Sequence, residues 1–152
     1  MKTYKRTVAL CCGLCAVLAS GAVNALFMTP HTEYFQSLIL PKMSLVGHDI
    51  GWLFGYLSIA VILAEFLIEP KLRKRIFAPI LLIVGNALWC AVFFRLHNAA
   101  AAFSLLCALV ILMIYTTILT VRHTKYTAFF AAALSVWYVY LVGLNLLVII
   151  FN

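Results

Sequence analysis

The chain is 152 residues long, 66% hydrophobic and only 10% charged, with a formal net charge of +7. A soluble domain devotes about a quarter of its residues to charge, so this chain cannot cover a core with an ordinary polar surface. No Asp, Glu, Lys or Arg occurs from Leu96 to Val121 or from Tyr126 to Asn152, and uncharged apolar runs longer than about 18 residues read as membrane spans.

Five spans are predicted in chain order: Thr7–Phe27, Gly51–Ile68, Ile76–Phe94, Ala99–Val121 and Thr127–Phe151. The first follows MKTYKR and ends near Val23-Asn24-Ala25, a pattern that a cleaved signal peptide shares. It is long enough to span, and a retained helix is the preferred reading. It carries Cys11, Cys12 and Cys15; Cys90 and Cys107 lie in later spans. The Cys12-Gly-Leu-Cys15 spacing has no second pair beside it, so small, soft packing residues are expected there. The stretch Met28–Ile50 holds Pro30, Pro41, His31, His48, Tyr34 and Phe35. It suits either a lid folded over the bundle or an interfacial loop with aromatics at headgroup level, and composition does not choose.

The second span opens on Trp52. Gly51 and Gly55 form a GxxxG step, which predicts close helix approach. Glu65, one turn before Glu69 and a basic linker, reads as an interfacial carboxylate, with a buried functional acid as the alternative. In the third span Asn86, Trp89 and Phe93 share one helical face. In the fifth, Tyr138, Leu141, Asn145, Val148 and Asn152 form a stripe with Trp137 beside it.

Nine of the eleven cations (Lys2, Lys5, Arg6, Lys71, Arg73, Lys74, Arg75, Arg122 and Lys125) fall on one side of this topology, and only Lys42 and Arg95 on the other. That asymmetry predicts the N-terminus in the cytoplasm and the C-terminus outside. It reads the positive charge as orientation, with contact to anionic lipid, and not as nucleic-acid binding. A bacterial cytoplasmic membrane is the expected location. Backbone amides in lipid must bond within their own segment unless a barrel closes, and these runs do not alternate as barrel strands do. The expected fold is all-α: one five-helix transmembrane domain over residues 1–152.

No histidine lies within a span, so haem ligation between helices is unsupported. No metal site, phosphate loop, acidic relay or Ser-His-Asp arrangement is present, and no cofactor is required. What remains is amides and aromatics. Asn86 and Asn145 read as interhelical glue with packing tryptophans, or as polar points in a flat aromatic pocket.

Those residues resemble the TspO/MBR family, the tryptophan-rich sensory and translocator proteins. The carriers of the resemblance are Asn86-x-x-Trp89-x-x-x-Phe93-Phe94, then Trp137 with Leu144-Asn145 and Asn152, and Trp52-x-Phe54-Gly55. Tyr34-Phe35 and Pro41 look like the family's first loop. The resemblance implies a five-helix bundle, commonly a homodimer, that binds porphyrins, haem-related tetrapyrroles and, in some members, sterols beneath that loop. Carried onto this sequence, it makes Trp52, Asn86, Trp89, Phe93, Trp137, Leu141 and Asn145 the ligand-binding candidates. A receptor or carrier is the implied function; light-dependent porphyrin degradation or a ligand-free interaction subunit are the alternatives. The family's W-x-F-G-P-V-W continues here as Tyr56, Leu57 and Ser58, which removes a tryptophan implicated in porphyrin chemistry. Ala133-Leu134 replace its PY, Leu141 stands where a small residue is usual, and the sterol-contact pattern is absent.

Overall fold

The computed structural model describes residues 2–28, 34, 37, 38 and 45–152. Five long helices run through it: α1 (Lys2–Met28), α2 (Leu45–Ile68), α3 (Phe77–Cys90, continued by a π-helical turn Ala91–Arg95), α4 (Ala99–Val121) and α5 (Lys125–Phe151). No strand occurs among the described residues. All five helices are long and apolar enough to cross a bilayer, over Tyr4–Met28, Ile50–Ile68, Phe77–Arg95, Ala99–Val121 and Lys125–Phe151. The chain is an integral, multi-pass membrane protein. Large side chains face outward, as they must in lipid: Leu26 is 74% exposed, Val136 71% and Ile111 70%.

Helix neighbours run α1–α2–α5–α4–α3 and back to α1, a closed ring. In lipid there is no hydrophobic drive between helices, so small residues and interhelical hydrogen bonds hold them. A side-chain carbon at Gly13 of α1 would sit 2.6 Å from the Ala60 carbonyl oxygen of α2, so the backbones touch there. Thr117 of α4 and Ser135 of α5 meet hydroxyl to hydroxyl at 3.3 Å. Ser58, Ser104, Thr116 and Ser135 return their hydroxyls to carbonyls four residues back at 2.8–3.1 Å, leaving few polar groups facing lipid.

The helix ends are set by local chemistry. Glu69 caps the single turn Pro70–Arg73, with Pro70 at its first position. Asn98 caps α4, its side-chain oxygen accepting from the Ala101 N–H at 2.9 Å. At the end of α2 the Arg73 Nε and Nη2 both donate to the Leu67 carbonyl, at 3.1 and 2.6 Å. Glu65 is half-buried one turn before Glu69.

The cysteines divide. Cys90 is buried in the core, whereas Cys11, Cys12 and Cys15 are exposed along α1.

Candidate functional site

Three helices bring the tryptophans together. Trp52 of α2 lies 5.9 Å from Trp89 of α3 and 5.7 Å from Trp137 of α5, measured between ring centroids. Trp89 stacks on Phe93 at 5.5 Å and meets Phe94 edge-on at 6.1 Å. Trp137 stacks on Tyr140 at 5.0 Å. The π-helical turn begins directly after Cys90, and Phe93 and Phe94 within it are both buried. Such turns recur at functional positions in helices.

The GxxxG step of α2 serves one of these rings. A side chain at Gly51 would collide with the benzo ring of Trp137; at Gly55 it would lie 3.2 and 3.4 Å from the Cδ1 and Nε1 of the same indole. The close helix approach expected at these glycines is made by α5, through a side chain.

Between these rings is a cleft lined by Trp52, Asn86, Trp137, Tyr138, Tyr56 and Leu134, with Gly55 and Ile59 behind. Its free volume is about 10 Å³, roughly enough for one water. The rings fill their own site. Among the described residues none that lines the cleft is charged, so it is a low-dielectric space with polar points at Asn86, Tyr56, Tyr138 and the indoles.

Several of those points are unspent. Trp89 Nε1, Tyr138 OH, Asn145 Oδ1 and Asn24 Oδ1 are buried with no hydrogen-bond partner among the described residues. Buried polar atoms are ordinarily paired, so four orphans in one bundle mark the interior as incomplete. Tyr56 is better served: its hydroxyl accepts from Asn24 Nδ2 at 2.6 Å, tying α1 to α2.

Of the predicted residues, Trp52, Asn86 and Trp137 line the cleft, Trp89 contacts Trp52, and Phe93 extends that stack. Leu141 and Asn145 are fully buried on the same stripe of α5 but do not line the cleft. Asn145 donates within its own helix, to the Leu141 carbonyl at 3.3 Å. Tyr56, Tyr138 and Leu134 are lining residues absent from the predicted set. Tyr138 was legible as a member of the α5 stripe; Tyr56 lies four residues after Trp52 and shares its helix face.

Over Phe93 sits Tyr34, the described aromatic of the first loop, at 6.0 Å. Its ring stacks on His97 at 4.0 Å and 18°. Burial pushes the Tyr34 hydroxyl pKa above 10.0, so the phenol is neutral in this contact. Tyr34 and Leu38 pack against the core, which favours the lid reading at these two positions. Pro30, His31, Phe35, Pro41 and Lys42 lie outside the described residues.

No curated protein matches the chain. The sequence model of the TspO/MBR family matches residues 11–150. With five helices long and apolar enough to span a membrane, the chain belongs to the TspO/MBR family of membrane-embedded sensory and ligand-binding proteins.

Proposed function

We propose that this protein is a membrane receptor or carrier for a tetrapyrrole, or a similarly large, rigid and hydrophobic ligand, bound in the cleft beneath the first loop. The observation that carries the reading is the contact of Trp52 with both Trp89 and Trp137, which brings three different helices together. Flat apolar rings in an uncharged cleft suit another flat ring, and the unpartnered Trp89 Nε1 and Tyr138 OH offer it hydrogen bonds. No described lining residue of the cleft is a cation, so ligand carboxylates would point out of it; Arg95, exposed at the end of the π-helical turn that carries Phe93, would be a partner for them. Ligand pockets run to roughly 300–1,000 Å³, so the rings must part to admit one.

The test is a titration of the detergent-purified protein with protoporphyrin IX in the dark, followed by tryptophan quenching and by the porphyrin absorption band. Saturable binding is expected, weakened about two- to tenfold by Trp89→Phe or Trp137→Phe through lost aromatic contact. Absence of saturation, or unchanged affinity in both variants, would overturn the proposal.

A second reading, light-dependent oxidative breakdown of porphyrin, draws support from the ring-to-ring continuity of the three tryptophans. It is weakened at Ser58. That residue stands where the family carries its further tryptophan, and its hydroxyl is spent on the Phe54 carbonyl at 2.8 Å. Loss of porphyrin absorbance under light, abolished by Trp137→Phe, is the outcome that would favour it.

A further inference from the structure

At the end of the bundle opposite the first loop, a groove of about 560 Å³ lies between the start of α1 and the end of α2. Its lining combines charge, from Lys5 and Arg73, with an apolar floor that includes Val8, Cys12 and Leu67. Lys5, Val8 and Cys12 are spaced at i, i+3 and i+7, so they follow one face of α1. That face runs about 10 Å from charge into the apolar span.

Arg73 is already held in place. Two of its N–H groups are bonded to the Leu67 carbonyl. A guanidinium has five N–H donors, so three remain for an incoming oxygen acceptor, on a side chain with little freedom left to lose. Among the described residues no carboxylate lines the groove. Glu69, next in sequence to the lining residues, is turned to capping and accepts from the Lys71 N–H at 3.3 Å. Arg6, Lys71, Lys74 and Arg75 are exposed nearby in sequence and, with Lys5 and Arg73, outnumber Glu65 and Glu69, so the field is net positive. A second copy of this chain docked here through the same face would bring its own Lys5 and Arg73 against these cations. The charge therefore selects an anion, and the floor selects an acyl chain.

We propose that this groove binds one anionic glycerophospholipid, its phosphate between Lys5 and Arg73 and an acyl chain along Val8, Cys12 and Leu67. Basic pockets between spanning helices hold acidic headgroups by the same chemistry. The site is separate from the aromatic cleft and does not depend on the function proposed for it.

The test is native mass spectrometry of the full chain released from micelles containing equal amounts of phosphatidylglycerol and phosphatidylcholine with identical acyl chains. One phosphatidylglycerol is retained in preference. Lys5→Gln lowers the retention ratio about fivefold, the worth of one interfacial cation. Val8→Trp fills the floor and abolishes retention of either lipid. Lys74→Gln, at an exposed cation that does not line the groove, leaves the ratio unchanged. Lys5→Gln leaves the Arg73–Leu67 bonds intact, so it remains decisive if Val8→Trp fails to fold. Equal retention of the two lipids, or a Lys74→Gln effect as large as that of Lys5→Gln, would overturn the proposal, the latter by showing diffuse surface attraction.

Discussion

The indole of Trp137 fills the space that a side chain at Gly51 would need. Gly51→Ala therefore overpacks the bundle, at a cost of about 1–3 kcal/mol, against a gain of up to about 1 kcal/mol from better helix propensity. Thermal unfolding in detergent should show net destabilisation. In a Trp137→Leu background the clash is gone and the same substitution should become neutral or stabilising. An unchanged penalty there would detach Gly51 from Trp137.

Tyr56→Phe removes the acceptor that Asn24 Nδ2 uses at 2.6 Å. Asn24 is 1% exposed and its Oδ1 already lacks a partner among the described residues, so both ends of the amide become orphans. A loss of about 1–3 kcal/mol is expected. Asn24→Leu combined with Tyr56→Phe should recover part of it, because replacing both partners by apolar groups leaves nothing unpaired. Denaturant or thermal midpoints of the two variants decide the matter.

Ligand association should be gated. The cleft has about 10 Å³ free, so the aromatic rings must separate before a large ligand enters. Stopped-flow tryptophan quenching should give an observed rate that levels off with rising porphyrin concentration, at the rate of ring opening. A rate that climbs linearly at near-diffusive slope would mean that no opening precedes binding.

The stack of Tyr34 on His97 holds a first-loop residue against the end of α3. His97 has a φ of 50°, a left-handed conformation that Asn also tolerates. His97→Asn thus removes the ring while keeping the backbone. Dissociation of bound ligand should quicken about two- to tenfold, the worth of one aromatic pair. The Tyr34 hydroxyl is raised above 10.0 by burial, so its contribution is fully present below that pH and is lost as pH climbs through the folded value. An alkaline rise in the dissociation rate of the unaltered protein, absent from Tyr34→Phe, is the matching signature.

The spans were legible because lipid imposes a blunt requirement: long uncharged runs, bonded within themselves. The structure shifts their edges where helix and apolar run part company. α2 begins at Leu45, six residues ahead of the predicted Gly51, because a helix continues past the charges of His48-Asp49 that end its apolar part. Trp52, Asn86 and Trp137 were readable as cleft residues from helix-face spacing together with the family pattern. Tyr56 was not, since a tyrosine inside an apolar run gives no sign of which neighbouring helix it will face. Gly51 and Gly55 announced a close approach without saying whether a backbone or a ring would make it. Asn145 showed the converse limit: a buried amide signals a need for partners, and this one meets half of it inside its own helix.

A π-helical turn uses one more residue per turn than an α-helix, so Ala91–Arg95 amounts to a single-residue insertion in α3. Every residue in an α-helix turns the chain by about 100°. Shortening the segment between Trp89 and His97 by one residue would mend the hydrogen-bond ladder and leave His97 close to its present position, because the wide turn spreads its extra residue over nearly the same rotation. The insertion is spent within the turn itself, where Phe93 and Phe94 sit. A relative with every aromatic intact but one residue fewer here would keep the tryptophans together and the ring on which its loop rests, and would repack only the turn.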